Sequence, residues 1–175
     1  MSLKELTKDN HALAETTPFM KSVFAGTMTK DVWTDYTYQK QLWYKEIERA
    51  AKLAGLLDDL PGIERADLIK EDYREMISGS LDYHTYKEVT KDYVIYLKTL
   101  SDPKKILAHL YTWHMGDMFG GQMIKKVIVA PHRHLDFANA NELKMIIRAM
   151  LTDDMADEAN IAFDWAIKIL NEYEC

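Results

Sequence analysis

Apolar residues recur at three- and four-residue intervals along almost the whole of this 175-residue chain. No stretch alternates apolar with polar residues at the period of two that a strand requires. That pattern restricts the fold to helices packed on helices. The breaks are few and explicit. Thr17-Pro18 reads as a cap followed by proline at a first helical position, and Gly26 closes the short helix it opens. Asp58-Asp59-Leu60-Pro61-Gly62 and Ala130-Pro131-His132-Arg133-His134 read as loops, and Ser101-Asp102-Pro103 as another cap. The spacing predicts helices over 3–15, 18–26, 29–57, 64–78, 83–100, 103–129, 139–151 and 153–173. Leu3, Leu6, Leu13 and Ala14 suit an inward stripe on the first. Trp33, Tyr36, Leu42, Trp43 and Ile47 do so on the long third. The expected architecture is one all-α domain over residues 1–175, a bundle of seven or eight helices.

A chain of this length buries one sizeable core rather than two. Its net charge of −6 counts against nucleic acid as a partner, since phosphate binding needs clustered Lys and Arg. The N-terminal MSLKELTKDN is charged and amphipathic, and no apolar run approaches the roughly 20 residues needed to span a bilayer. No membrane association and a cytoplasmic location are therefore expected. The single cysteine, Cys175, allows no intrachain disulfide and makes thiol chemistry implausible.

Within the helix expected over 103–129 lies Gly-Asp-Met-Phe-Gly-Gly-Gln (116–122), which holds three of the seven glycines. Each glycine costs roughly 1 kcal/mol against alanine inside a helix. Gly116 and Gly120, four apart, share a face, with Gly121 beside them. One reading is close helix–helix packing or a kink. The other is a bent helix whose bare backbone lies against a large flat ligand. Asp117, about 100° around from Gly116, could then reach the cavity edge and hold a water there.

Two further sets of residues repeat at helical spacing. Lys4, Lys8, His11 and Glu15 fall on one face of the first helix. They are either a solvated charged stripe, or a metal-ligand histidine flanked by lysines that meet carboxylates on a ligand. Lys144 and Arg148 are a second cationic pair, either solvated or an anion clamp. Other chemistries lack their residues. None of the six histidines follows a carboxylate by three residues, as a di-iron bundle would need. No P-loop, G-x-G-x-x-G or H-E-x-x-H is present.

Taken together, LKELTKDNHALAE (3–15), PFM (18–20), YTWHMGDMFGGQ (111–122) and the pair Lys144, Arg148 resemble the haem oxygenase family, in order and in spacing. The resemblance implies a helical bundle gripping haem between the first helix and a kinked distal helix. By position, His11 would ligate the iron and Glu15 would partner its other ring nitrogen. Gly116, Gly120 and Gly121 would lie where the distal backbone approaches the porphyrin, and Asp117 would organise the distal water. Lys4, Lys8, Tyr111, Lys144 and Arg148 match positions that contact the propionates, and Phe163 matches a pocket aromatic. The implied reaction opens haem to biliverdin, releasing carbon monoxide and ferrous iron. Its electrons come from a ferredoxin or another reductase, and a bilin reductase could act downstream.

The chain departs from that pattern at Phe119, where a small residue is usual, at Trp113-His114, where arginine often occurs, and at Ala166. These changes bear on the distal hydrogen-bond network and leave a haem-binding or delivery protein without turnover as an alternative. Thiamin-degrading or quinone-cofactor enzymes on a similar scaffold fit less well, because the histidine and glycine segments match neither.

Overall fold

The computed structural model describes residues 1–80 and 83–174, so the reading of Cys175 falls outside the described residues. Every regular element among them is helical. The α-helices are α1 (Leu3–Leu6), α2 (Lys8–Glu15), α3 (Pro18–Phe24), α4 (Lys30–Leu53), α5 (Ala66–Met76), α6 (Glu88–Lys98), α7 (Pro103–Leu110), α8 (Gly116–Val127), α9 (Ala140–Met150) and α10 (Ala156–Leu170). A π-helical turn, Tyr111–Met115, joins α7 to α8 without a break. With α7–α8 and α1–α2 each counted as one rod, the described residues form eight helices. No helix among them is long and apolar enough to cross a membrane.

The caps follow the sequence. Thr17 and Thr29 accept from the backbone N–H of Met20 and Val32, opening α3 and α4. Asp102 accepts from Lys104 N at 2.9 Å ahead of Pro103, opening α7. Among the boundaries that differ from expectation, three have a clear local cause. The first helix breaks at Thr7 (φ −113°, ψ 1°), whose hydroxyl and N–H both turn back on the Leu3 carbonyl. Helix α4 stops at Leu53 rather than 57, because Gly55 takes φ +75°, a left-handed value that ends a helix. Helix α6 starts at Glu88 rather than 83. The Gln39 side chain of α4 instead holds the preceding segment unwound, donating to Thr85 O at 2.8 Å and accepting from Lys87 N at 2.9 Å.

Helix α4 is the axis of the bundle, packed against α5, α6 and α7. Its stripe of Trp33, Tyr36, Trp43, Tyr44, Ile47 and Ala51 is buried. Trp43 and Trp113 meet with ring centroids 4.8 Å apart, joining α4 to the π turn. Helix α2 contrasts with it, burying no residue at all. Leu13, expected to point inward, is 57% exposed. The opposite face of α2, with Lys8, His11 and Glu15, borders a cavity instead of the core.

Candidate functional site

The rod formed by α7, the π turn and α8 has two chemically distinct sides. Tyr111, Thr112, Met115, Gly116, Phe119 and Gly120 line a cavity of about 790 Å³, a size typical of small-molecule and cofactor sites. Trp113, His114, Asp117, Met118 and Gly121, one or two positions along in each turn, are buried on the other side. Both sets recur every four residues, the spacing that keeps side chains on one helical face. A single π turn at the start of the glycine segment is of the kind often found at functional sites.

The glycines separate accordingly. A Cβ built on Gly116 or Gly120 meets nothing within 4 Å, so close helix packing does not explain either. Their bare backbone borders open cavity. The resemblance puts Gly121 against a ligand as well, but the structure turns it away. Its Cβ position lies 3.0 Å from Leu135 Cδ2, so there the packing explanation holds.

The rest of the cavity wall comes from distant parts of the chain. The N-terminal segment contributes Lys4, Lys8, His11 and Glu15, helix α9 contributes Lys144 and Arg148, and α10 contributes Phe163. Leu3, Leu151, Met115, Phe119 and Phe163 make much of the surface apolar. The four cations make no ion pair among the described residues, and Lys144 Nζ sits 4.6 Å from the centre of the Phe119 ring. Four cations against Glu15 and Asp153 give a positive rim in a chain of net charge −6. Such a rim favours an anionic ligand.

The His11 ring is exposed to the cavity and packs edge-on to Phe163, centroids 5.7 Å apart. Its nearest carboxylate is Glu15, at 3.7 Å from Nε2, longer than a hydrogen bond. Among the described residues no three His, Cys, Asp or Glu side chains gather closely enough to hold a metal ion. An ion at His11 would have to bring its other ligands with it, as iron in a macrocycle does.

Asp117 does not line the cavity as the sequence reading anticipated. Its position on the buried face turns the carboxylate toward α4. There Lys40 Nζ lies 2.9 Å from Oδ1 and 2.8 Å from Oδ2, and the Tyr44 hydroxyl donates to Oδ2 at 2.5 Å. The Lys40 side chain is 3% exposed and that of Asp117 is 11%. Burial, and then the Asp117 charge, push the Tyr44 phenol well above its ordinary range, so it stays a donor.

Trp113 and His114 are also spoken for. Trp113 Nε1 donates to the Tyr93 hydroxyl at 2.9 Å. His114 Nε2 donates to Glu48 at 3.0 Å, and the same carboxylate accepts from the N–H groups of Arg65 and Ala66 at the start of α5. Neither residue takes the place of a distal arginine. Ala166 is buried and outside the cavity wall.

Lys40 and Tyr44 were not singled out from the sequence. The available signal was a lysine at position 40 in the middle of the apolar stripe 33, 36, 43, 47, which demands a buried partner.

Comparisons with known proteins give the family and the fold. A family model described as Heme oxygenase matches residues 1–150. Heme oxygenase 2 of Mus musculus is 27% identical over 98% of this chain, which spans only 64% of that protein. Heme oxygenase of Guillardia theta is 26% identical, covering 99% of this chain and 85% of its own length. The crystal structure of heme oxygenase-1 from the cyanobacterium Synechocystis in complex with heme superposes with a TM-score of 0.85 at 25% identity, covering 98% of this chain and 90% of that one. The structure of Heme Oxygenase from Leptospira interrogans also gives 0.85, at 21% identity over 99% of this chain and 100% of the other.

Proposed function

The chain belongs to the haem oxygenase family, and we propose that it cleaves haem oxidatively to biliverdin, carbon monoxide and ferrous iron with externally supplied electrons. The observation that carries this is the pairing of bare glycines with a histidine in one cavity. Gly116 and Gly120 leave space that any Cβ would enter, and His11 offers the cavity a single metal ligand. An apolar, flat, dianionic ligand with its own metal fits both features. When bound, haem supplies the iron at which dioxygen is activated and the ring that is oxidised.

The chain's own residues would then act as follows. His11 would hold the iron through one ring nitrogen, and Glu15, one helical turn on with its Oε1 3.7 Å from Nε2, is the carboxylate beside that ring. Lys4, Lys8, Lys144 and Arg148 hold the two propionates at the rim, with Tyr111 beside them. Phe163 limits the tilt of the His11 ring. Gly116 and Gly120 place no side-chain donor on the distal face, so chemistry there depends on water and backbone. Asp117, whose oxygens are held by Lys40 and Tyr44 on the buried side of the same helix, would act on such a water only from behind the cavity wall.

The electron donor we propose is a ferredoxin or another reductase, with a bilin reductase as a possible consumer of product and the cytoplasm as the location. The positive rim supports an acidic donor, because complementary charge speeds encounter. Turnover of the haem complex with reductant and oxygen tests the reaction. Loss of the Soret band with growth of biliverdin absorption is expected, and a Soret band that survives many reducing equivalents refutes cleavage. One feature favours the second reading, a haem carrier without turnover: the Asp117 carboxylate is engaged inside the bundle rather than open to the cavity. The same experiment separates the two.

A further inference from the structure

We propose a second ligand site, in the groove between α4 and α5, for a small planar organic anion: an aromatic ring that carries a carboxylate or a phosphate. The site stands apart from the haem cavity and shares no lining residue with it. The groove encloses about 440 Å³, toward the smaller end of small-molecule sites and well short of the 790 Å³ of the first cavity.

The groove follows from the spacing of residues on two helices. Tyr38, Gln41, Leu42 and Lys45 recur at three- and four-residue steps on α4, on the face opposite Tyr36, Lys40, Trp43 and Ile47. Helix α5 brings Asp67, Lys70, Tyr73, Arg74 and Ile77 to the same groove, and Tyr86 adds to its wall from the segment before α6.

The cations are what point to a ligand. Lys70 and Arg74 are four apart on one helical face, where like charges destabilise a helix. Lys45 adds a third positive charge from α4. Acids close by in sequence could have neutralised them, but the fold sends those acids elsewhere. Asp72 and Glu75 pair with Arg133, and Asp72 also holds His134. Glu46, next to Lys45, pairs with Arg49. Asp67 is the one acid among the residues lining the groove, so three cations face one carboxylate in a chain of net charge −6. Such an excess favours an anion, and an arginine can grip a carboxylate or phosphate with two parallel bonds.

The rest of the wall suits a ring. Tyr38 stacks on Tyr86 with centroids 4.5 Å apart and meets Tyr73 at 4.9 Å. The Tyr73 hydroxyl is hydrogen-bonded to His84 Nδ1 at 2.8 Å, which fixes that ring in place. Burial, and then the neighbouring Tyr38 phenol, push Tyr73 upward and Tyr86 up to about 12, so neither brings a negative charge into the groove at neutral pH. Leu42, Ala66 and Ile77 supply aliphatic surface. An aromatic ring gains both from burial on such a surface and from contact with the phenol rings.

The probes are 2-naphthoate, adenosine monophosphate and inorganic phosphate, added to the full ligand-free chain with its tyrosine rings labelled with ¹³C. Signals are assigned by their loss in Tyr38→Phe, Tyr73→Phe and Tyr86→Phe. At millimolar concentration, at least one ring-bearing probe should shift all three signals. A response to naphthoate alone identifies a carboxylate ligand, and a response to the nucleotide alone a phosphate. Lys70→Met and Arg74→Met, both exposed and expected to fold as wild type, should each weaken that binding by about tenfold. Lys144→Met and Arg148→Met, at the first cavity, should leave it unchanged. Inorganic phosphate, which has no ring, should bind about tenfold more weakly than the better probe.

Tyrosine signals that neither ring-bearing probe moves overturn the proposal. So does binding that survives in the double variant Lys70→Met/Arg74→Met, or that inorganic phosphate matches. Binding lost in Lys144→Met or Arg148→Met instead would put the anion in the first cavity and equally overturn it. Haem takes part in none of these measurements, so the cleavage reading stands or falls separately.

Discussion

Gly121 packs against Leu135 so closely that a methyl group on it would meet Leu135 Cδ2 at 3.0 Å, while methyls on Gly116 and Gly120 would meet nothing within 4 Å. The difference predicts opposite effects for one substitution along a single helix. Gly120→Ala should stabilise the ligand-free protein by about 0.5–1 kcal/mol, the usual helix-propensity gain. It should weaken haem binding by about tenfold or more, since roughly 1.4 kcal/mol of steric cost suffices. Gly121→Ala should show little stability gain, because Leu135 is fully packed and must shift, and should leave haem affinity nearly unchanged. Thermal melts and haem titrations of the two variants check this.

The cationic rim is a separate matter from the glycine wall. Lys144→Met and Arg148→Met each remove a charge that has no acidic partner among the described residues, so folding stability should change little. Haem affinity should fall by about tenfold for each if it contacts a propionate, the loss expected for a charge-assisted hydrogen bond of about 1.5 kcal/mol. Raising the salt concentration should reduce the wild-type affinity more than that of the double variant.

Glu48 ties three elements together, accepting from His114 Nε2 on the π turn and from the N–H groups of Arg65 and Ala66 that open α5. Glu48→Ala should destabilise the protein by about 2–4 kcal/mol, combining a lost helix cap with a stranded buried histidine donor. Glu48→Gln keeps an acceptor and should cost less. Urea unfolding of the two variants measures the difference.

Acid sensitivity follows from two buried histidines. His109 bridges the Tyr93 hydroxyl (2.7 Å) and Glu158 (2.9 Å), and burial lowers its pKa despite the carboxylate. His134 donates to Asp72 at 2.6 Å and is likewise lowered by burial. In each case the unfolded chain takes up a proton first as pH falls below about 6.5, so unfolding becomes easier there. Asp72 and Glu158 are lowered by these same histidine contacts, against the opposing effect of burial, and add further acid sensitivity below the ordinary carboxylate range. Stability should be level from pH 6.5 up to the range where unfolded tyrosines ionise, about pH 10, and decline below pH 6.5. His109→Gln, which cannot take up that proton, should decline less steeply over the first part of that range.

Much of this was readable in the sequence. Helical periodicity gave the fold class, and Pro18, Pro103 and Gly26 marked ends that the structure keeps. Lys4, Lys8, His11, Glu15, Tyr111, Gly116, Gly120, Lys144, Arg148 and Phe163 do line one cavity. What local spacing could not supply was direction. A residue 100° from Gly116 can face the cavity or the bundle, and only contacts from another helix, Lys40 and Tyr44 of α4, show that Asp117 faces the bundle. Gly121 fails for the same reason, because its neighbour Leu135 comes from a turn fourteen residues away. The late start of α6 depended on Gln39, a side chain from another helix holding backbone that local propensity would have coiled.

The central claim is that His11 is the protein's ligand to haem iron in this cavity, and the absorption spectrum of the haem complex tests it most directly. His11→Ala should lose the spectrum of histidine-ligated haem and nearly all turnover, and added imidazole should restore the spectrum. If His11→Ala instead binds haem with the wild-type spectrum and needs no imidazole, the iron is held elsewhere and the account of the site is wrong.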